Sequence, residues 1–273
     1  MRLCVSLALA VLLAGCGSGD RAGVLDMATT TSVRDSGLMD ELLPRFRAQT
    51  GIEVRLLAVG SGAALRMGAD GDVDVLLTHA PAGERELVDA GKLVDRRPFM
   101  RNHFVIAGPP PDPAGLAHAA NARDAMRRLA ASDAPFVSRA DDSGTHRREQ
   151  AVLTEAGLDP GAAWSNVIRT HAGMGASLQV AGERRAYIVS DVGTFRAFRE
   201  RIELVALSKS DDPALRNVYS ILRPNPEGRD LNVDGALRLA EFLAAPATQR
   251  MIGEFGRDPD PLFVPLLLDG DAG

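Results

Sequence analysis

Residues 136–146 read FVSRADDSGTH: a short apolar run, then an arginine, two aspartates and the polar group Ser143-Gly144-Thr145. The apolar run is typical of a buried strand, and the serine is typical of the residue that begins a helix, here predicted over 143–156. A strand that leads directly into a helix is the repeating unit of an α/β protein. The polar residues at this junction fit four kinds of site: a catalytic triad, a metal site, an anion site or a plain helix cap.

The same alternation of apolar runs and amphipathic segments continues along the rest of the chain. It predicts an α/β protein with mostly parallel sheets. The proline-rich stretch 108–115 is the strongest break in the pattern, and a polar stretch divides two strand-like runs near 205–217. We expect a hinge crossover at each place and therefore two lobes. The first lobe is predicted to comprise 24–107 with 216–273, and the second 108–215.

The bulk composition excludes some classes of protein. The chain has 273 residues, of which 45% are hydrophobic, and this is enough to bury the cores of one large or two modest domains. A formal net charge of −5 and an aromatic content of only 4% argue against a nucleic-acid-binding protein. Any anion site in this chain must be local, because the molecule as a whole is negative.

The N-terminus has the pattern of an exported protein. Arg2 precedes an apolar run over 3–14, which is too short for a permanent membrane span. A basic start followed by such a run is typical of a signal peptide, here residues 1–15. We expect the mature protein to lie outside the cytoplasm, on the periplasmic or extracellular face of the membrane.

Cysteine use supports the same interpretation. Leu13-Ala14-Gly15-Cys16 resembles the lipobox of bacterial lipoproteins, which implies cleavage before Cys16 and attachment of lipid to its thiol. Residues 16–23 would then form a lipid-anchored, flexible tether. Cys4 is the only other cysteine and leaves with the signal peptide, so the folded part offers no thiol for a disulfide, a nucleophile or a metal.

Four predicted strand-to-helix junctions share one chemistry, being rich in hydroxyl groups and glycine. A helix N-terminus presents free N–H groups and a partial positive charge, and glycine lets a ligand approach the backbone, so such junctions bind oxyanions. Arg139 adds a full positive charge with several donors. Taken singly, each junction is equally typical of an ordinary helix cap or turn. The four are Thr29-Thr30-Thr31-Ser32, Gly60-Ser61-Gly62, Ser143-Gly144-Thr145 and Gly173-Met174-Gly175.

Other chemistries are less well supported. Ser143, His146 and Asp141 are the residue types of a hydrolytic triad, but three residues on one helical turn rarely reach relay geometry, and no G-x-S-x-G motif occurs. The acidic alternation over 70–74 lacks the glycine and the distant glutamate of a calcium loop. The five histidines have no metal-ligand spacing, so surface or core roles are their default. We expect neither an enzyme nor a site for a cofactor or a protein-bound metal cation.

Several stretches resemble, in order, the tungstate-binding proteins of bacterial ABC transporters. The resemblance extends over about residues 27–195 and implies a two-lobed periplasmic-binding-protein fold of type II. It also implies that an oxyanion, tungstate or molybdate, is clamped between the lobes and delivered to an ABC transporter permease. We expect a monomer, since one pair of lobes makes a complete site. The matching stretches are TTTS at 29–32, DSGL at 35–38, VGSGAAL at 59–65, DVDVLLTHA at 72–80, NHFVIAGP at 102–109, SRADDSGTH at 138–146 and GMGA at 173–176.

The resemblance also implies a ligand shell with contributions from both lobes. Thr29, Gly62 and Ala176 belong to the matching stretches and lie next to the implied ligand residues. The residues implied to bind the oxyanion are Thr30, Thr31, Ser32 and Ser61 from the first lobe, and Arg139, Ser143, Gly144, Thr145, Met174 and Gly175 from the second.

Asp141 separates the two closest ligand hypotheses. Phosphate-binding proteins carry a similar R-x-D-x-S-G-T element, in which the aspartate accepts the proton of hydrogen phosphate. A fully deprotonated tungstate has no proton to give, so an aspartate facing it would only repel it. We therefore expect Asp141 to turn away, pairing with Arg139 or capping the helix at Ser143. Molybdate, sulfate and phosphate are the rival ligands, and a serine-dependent enzyme is the rival class.

Overall fold

The computed structural model describes residues 23–161, 166–256 and 260–268. The predicted signal peptide, nearly all of the tether and Cys16 lie outside these residues. Within them, helices and strands alternate as the sequence predicts, and the α/β class is confirmed. The strands are β1 (Val24–Thr30), β2 (Glu53–Val59), β3 (Val75–Thr78), β4 (Leu93–Gly108), β5 (Phe136–Ser138), β6 (Val167–Arg169), β7 (Tyr187–Asp191), β8 (Val205–Ala206), β9 (Arg216–Pro224) and β10 (Val264–Pro265).

The helices lie between these strands and pack on both faces of the sheets. They are α1 (Thr31–Asp35), α2 (Leu38–Thr50), α3 (Ser61–Asp70), α4 (Pro81–Asp89), α5 (Ala122–Ala130), α6 (Gly144–Glu155), α7 (Met174–Glu183), α8 (Val192–Phe198), α9 (Val233–Ala244) and α10 (Pro246–Glu254).

The strands pair in the order β2-β1-β3-β9-β4-β7-β5-β6, with β8 and β10 added alongside β4. β1 is parallel to β2 and β3, and β5 is parallel to β6 and β7. Every pairing of β4 and β9 is antiparallel. The prediction of mostly parallel sheets is therefore wrong: the sheet is mixed, because the two long strands that join the lobes run against their neighbours.

β4 and β9 form the connection between the two lobes. The first part of β4, up to His103, pairs with β9, and from Phe104 onward β4 pairs with β7 and then β8. The change of partner lies within one continuous strand, before the proline-rich stretch where the sequence suggested a crossover. Residues 104–107, assigned to the first lobe from the sequence, thus pair with strands of the second. The return crossover, at the start of β9, lies at the end of the predicted stretch 205–217.

Each lobe has apolar clusters on both faces of its part of the sheet. In the first lobe, Phe46, Phe242 and Leu239 belong to one cluster, and Leu65 and Leu76 to the other. The second lobe likewise has two clusters, one under α5 and α6 and one under α7 and α8. Because helices cover both faces, the inner strands β3, β5 and β7 are buried on both sides. β1 and β7 lead directly into α1 and α8, and β5 leads into the turn before α6.

No helix among the described residues is both long and apolar enough to cross a membrane.

Candidate oxyanion-binding site

A cleft of about 660 Å³ lies between the lobes, where the strands end and the helices begin. All four junctions singled out from the sequence contribute to its walls. Ligands of open α/β sheets bind in this position, at the carboxyl ends of the strands. The ten residues predicted as ligand shell all line the cleft: Thr30, Thr31, Ser32, Ser61, Arg139, Ser143, Gly144, Thr145, Met174 and Gly175.

The first-lobe wall is formed by the end of β1 and the start of α1. The Oγ1 of Thr30 lies 3.1 Å from the Oγ of Ser32, which in turn lies 3.3 Å from the Nε2 of His79. Thr29 has a structural role instead, because its hydroxyl is buried and donates to the carbonyl of Leu77 at 2.9 Å. The hydroxyls of Thr30 and Ser32 therefore belong to one hydrogen-bonded chain that reaches deep into the lobe.

The second-lobe wall is organised around Arg139. Its Nη2 donates to Asp141 Oδ2, and its Nε donates to the carbonyl of Ala172 at 3.3 Å. Asp141 also accepts from the backbone N–H of Ser143 at 3.2 Å through Oδ1. Both carboxylate oxygens are thus engaged within the lobe, and Asp141 does not line the cleft. This is the orientation expected from the sequence, and it combines the two expected roles, pairing with Arg139 and capping at Ser143.

The pKa values of two carboxyl groups near the turn 139–143 are shifted by their surroundings. Burial acts to raise the pKa of Asp141, but hydrogen bonds from Ser143 and the charge of Arg139 hold that pKa below its ordinary value. Glu149 lies behind the turn, next to Ser138 and the backbone of Arg139, and burial raises its pKa to about 7. The wall that faces the cleft consequently carries a cation, and the compensating carboxyl groups lie behind it.

The turn itself is conformationally strained. Ala140 and Asp142 adopt φ values of 49° and 56°, in the left-handed region that favours glycine. Glycine would adopt this backbone at position 140 without the steric cost that alanine incurs.

A hydrolytic triad is not assembled at Ser143. The ring of His146 accepts from the backbone N–H of Asp142 through Nδ1 at 3.0 Å, and its Nε2 lies 3.0 Å from Gln150. The Oγ of Ser143 accepts from the backbone N–H of His146 at 3.3 Å, not from its ring. A serine nucleophile needs a base on its hydroxyl, and this ring does not provide one.

Helix capping does not account for most of the hydroxyl-rich junctions. α1, α3 and α7 begin without any side-chain cap, and only α6 is capped, by Ser143. Away from the cleft, α5 and α9 are capped conventionally by Asn121 and Asn232. The uncapped helix starts leave backbone N–H groups at the cleft without a side-chain acceptor, and these groups are suited to bind an anion.

Glycine brings the two walls close together at one point. A Cβ atom on Gly144 would lie 3.3 Å from the Oγ of Ser61 and 3.0 Å from the Cε1 of His79, both in the opposite lobe. A Cβ on Gly175 would lie 2.5 Å from the ring of Phe198. A side chain at position 144 would therefore press on the opposite wall, and one at position 175 would require the ring of Phe198 to move.

Several cleft residues were missed in the sequence analysis. His79 was given a default role, although it belongs to one of the stretches that carry the family resemblance. Asp191 and Thr194 form a further strand-to-helix junction, in which the carboxylate of Asp191 accepts from the N–H and the hydroxyl of Thr194, both at 2.8 Å. The signal in the sequence was the pattern Asp191-Val192-Gly193-Thr194, which follows a strand and, like Ser143-Gly144-Thr145, combines a glycine with a hydroxyl residue. Phe198 and Leu262 add apolar surface at the edge of the cleft.

Among the described residues, no cluster of histidine, cysteine or acidic side chains could hold a metal ion.

Comparison with known proteins identifies relatives over nearly the whole chain. Residues 18–247 match the family model described as the PBP superfamily domain. The chain is 39% identical over 248 residues to the tungstate-binding protein TupA of Peptoclostridium acidaminophilum, which covers 89% of this chain and 86% of that relative.

Two solved structures share the fold at similar identity. The tungstate-binding protein TupA from Desulfovibrio alaskensis G20 is 40% identical with a TM-score of 0.81, covering 89% of this chain and 99% of that one. The tungstate ABC transporter structure from Geobacter sulfurreducens is 40% identical with a TM-score of 0.75, covering 85% and 98%. The chain therefore belongs to the PBP superfamily and to the family that includes these tungstate-binding proteins.

Proposed function

We propose that this protein captures tungstate, or molybdate as a dianion of nearly the same size, in the cleft between its lobes and delivers it to an ABC transporter permease. The observation that carries the proposal is the convergence of uncapped helix starts, hydroxyl groups and Arg139 on one cleft. The names of the similar proteins, which describe tungstate binding and transport, support the same ligand.

The donor set suits an oxyanion that carries no proton. Taking a dianion out of water is very costly unless its oxygens receive hydrogen bonds and part of its charge is offset. Hydroxyl and backbone N–H groups supply the hydrogen bonds, and Arg139 supplies the positive charge at the wall. Since the chain has a formal net charge of −5, this local arrangement has to attract the anion against the charge of the whole molecule.

The orientation of Asp141 favours tungstate over hydrogen phosphate. Its two oxygens are turned to Arg139 and to the N–H of Ser143, and Asp141 does not line the cleft, so its carboxylate does not face a proton on the ligand. Asp191 does line the cleft, but both of its oxygens accept hydrogen bonds from Thr194. The carboxylate that the phosphate-type motif would present to a ligand proton is therefore turned away, and that of Asp191 is oriented as the cap of α8.

A panel of tetrahedral oxyanions at fixed pH tests the ligand, with thermal unfolding as the measurement. A ligand that binds only the folded state stabilises it by about 4 kcal/mol when present at roughly a thousand times its Kd. We expect tungstate and molybdate to raise the melting temperature at micromolar concentration, and phosphate and sulfate to leave it unchanged. Strong stabilisation by phosphate with none by tungstate would overturn the proposal.

The membrane anchor is part of the same proposal and depends on the N-terminal sequence alone. Cleavage after residue 15 and lipidation of Cys16 would leave residues 16–23 as a tether between the membrane and the first lobe. We expect the Cys16→Ser variant to move from the membrane fraction to the soluble fraction of a bacterial host. A variant that stays with the membrane would exclude the lipid anchor.

A further inference from the structure

His79 occupies a position in the cleft that neither the predicted ligand shell nor the proposed function uses. It follows β3 directly and lines the cleft, with its Nε2 3.3 Å from the Oγ of Ser32. Its other nitrogen, Nδ1, lies 2.9 Å from the Oδ1 of Asn217 on β9. The ring packs on that of Tyr219, with centroids 4.9 Å apart. His79 thus joins a hydroxyl of the ligand wall to a strand that connects the lobes.

The hydrogen-bond inventory fixes which nitrogen of His79 carries a hydrogen. The Nδ2 of Asn217 donates to the Oδ1 of Asn102 at 2.8 Å and to the hydroxyl of Tyr219 at 2.9 Å. The donor end of this amide is therefore committed, and only its acceptor oxygen faces His79. An amide oxygen cannot donate, so the Nδ1 of His79 must carry the hydrogen. In a neutral ring, Nε2 is then an acceptor.

This tautomer places the hydroxyl hydrogens of the first-lobe wall in the wrong direction for an anion. The Nε2 of a neutral His79 accepts the only hydroxyl hydrogen of Ser32, and Thr30 then donates to Ser32 across 3.1 Å. The hydroxyl hydrogens of both residues are consequently directed along this series of hydrogen bonds, towards His79 and away from the ligand. A proton on Nε2 reverses the direction of these hydrogen bonds. His79 then donates to the Oγ of Ser32, and the hydroxyl hydrogen of Ser32 becomes available to the anion.

We propose that His79 is a further anion-binding residue, which takes up a proton as the dianion enters and thereby turns the Ser32 hydroxyl toward it. The inference rests on the proposed function, since it concerns the same ligand in the same cleft. The proton comes from the solvent or buffer and converts a neutral imidazole to an imidazolium, so the charge added at this wall offsets one of the two charges of the anion.

The surroundings of His79 favour the neutral form of its ring on balance. Burial lowers its pKa below the ordinary value of 6.5, and the charge of Arg148 on α6 acts in the same direction. The hydrogen bond with Asn217 and the charge of Asp191, at the end of β7, act to raise it. Tyr219 packs against the ring and stays neutral, because burial raises the pKa of its hydroxyl above the ordinary value of 10. Arg139 lines the same cleft from the second lobe.

The sign of the linkage follows from these contacts. A dianion near the ring favours its charged form, so the pKa of His79 is higher in the complex than in the free protein. Between these two pKa values, binding takes up a proton and the affinity rises as the pH falls, by up to tenfold per pH unit. Above the pKa of the complex and below that of the free protein, the affinity is independent of this group.

Calorimetry of tungstate binding at one pH in two buffers of different ionisation enthalpy measures the proton uptake. We expect the wild type to take up a fraction of a proton near neutral pH, and the His79→Gln variant to bind more weakly with no uptake. His146→Gln is the matched control, since this ring does not line the cleft. Glu149→Gln tests the other group that titrates nearby, with a pKa of about 7. Both controls should keep the uptake.

Three results would overturn the inference. These are tungstate binding by the wild type without proton uptake, uptake retained in His79→Gln, and uptake lost only in Glu149→Gln. The nitrogen NMR signals of His79 in the free protein provide a test that needs no ligand, since they must report the Nδ1–H tautomer. A wild type that binds no oxyanion at all would refute the proposed function, whereas an Nε2–H tautomer would refute this inference alone.

Discussion

At the scale of single residues, the candidate site contains a cation that its neighbours hold in place. Arg139 is the only charged residue in the predicted ligand shell, and its contacts to Asp141 and the carbonyl of Ala172 fix its guanidinium at the wall. Its side chain is only 13% exposed. A guanidinium already ordered in this way loses little conformational entropy when it binds an anion.

Replacement of Arg139 should therefore cost far more affinity than replacement of a hydroxyl. Arg139→Ala removes a charge-assisted contact and leaves Asp141 without its partner, so we expect tungstate binding to weaken by about 100-fold or more. Ser61→Ala removes one neutral hydrogen bond, and we expect a loss of about fivefold. Titration calorimetry measures both, with thermal unfolding to verify that the variants are folded. Equal and small losses in the two variants would show that Arg139 is not central.

The site residues that could be predicted from the sequence lie in local motifs, whereas those that could not be predicted depend on contacts between distant parts of the chain. Thr30, Ser61 and Arg139 lie in local motifs, because a strand end and the following helix start are consecutive in the chain. His79 acts through partners on distant strands, with Asn217 separated from it by 138 residues. No local pattern indicates such a contact. Asp74 also has partners that are distant in the sequence. It lies in the acidic stretch 70–74, whose composition is typical of a solvated turn, yet it is buried and accepts from the N–H groups of Asp26 and Asn232.

At the scale of elements, the turn that carries His79 is fixed by a buried ion pair. Glu84 on α4 is fully buried and accepts from the hydroxyl of Thr78 and the N–H of Ala80, both at 2.8 Å. Arg96 on β4 completes the set with its Nε at 2.9 Å. One carboxylate thus holds both sides of the turn at His79 and ties it to the strand that joins the lobes.

Loss of this carboxylate should destabilise the first lobe. Glu84→Ala leaves Arg96 and two donors without their acceptor, and we expect a loss of about 2–4 kcal/mol in the free energy of unfolding. Glu86→Ala, an exposed position on the same helix, should change it by less than about 0.5 kcal/mol. Urea unfolding of the two variants measures the difference. A Glu84→Ala variant as stable as Glu86→Ala would show that the pair contributes nothing net.

The element that was predicted least well is β4. Its last residues, Phe104 to Ala107, form an apolar run and were recognised, whereas the part before them contains Asp95, Arg96, Arg97 and Pro98. Charged residues and proline argue against a strand, and the structure tolerates them through register shifts between β4 and β9 at these positions. Pairing with a strand more than a hundred residues away overrides the local preference there.

At the scale of the whole molecule, the architecture consists of two lobes, each with its own apolar clusters, joined through two long strands. Four separate apolar clusters serve the two lobes, and β4 and β9 carry the chain between them. The two-lobed arrangement could be predicted from the order of the motifs and the family resemblance. The mixed sheet could not, because the direction of β4 and β9 depends on pairing across the connection and not on any local pattern.

The size of the cleft predicts a closing motion. About 660 Å³ is far more space than one tetrahedral oxyanion fills, so the walls must approach each other for donors of both lobes to reach it. We expect tungstate to reduce the radius of gyration measured by small-angle X-ray scattering. A Cβ at Gly144 would lie 3.0 Å from His79 and 3.3 Å from Ser61, so a large side chain there would meet the opposite wall.

A bulky residue at Gly144 should therefore hold the cleft open. We expect the Gly144→Leu variant to scatter like the ligand-free protein at any tungstate concentration, since its side chain has to occupy the gap through which the lobes close. Gly23→Leu is the matched control, because a Cβ at Gly23 meets nothing within 4 Å and the residue lies far from the cleft motifs. It should contract like the wild type. If Gly144→Leu also contracts on addition of tungstate, the lobes do not close at this point, and the donors of the two walls reach the anion by a motion elsewhere in the cleft.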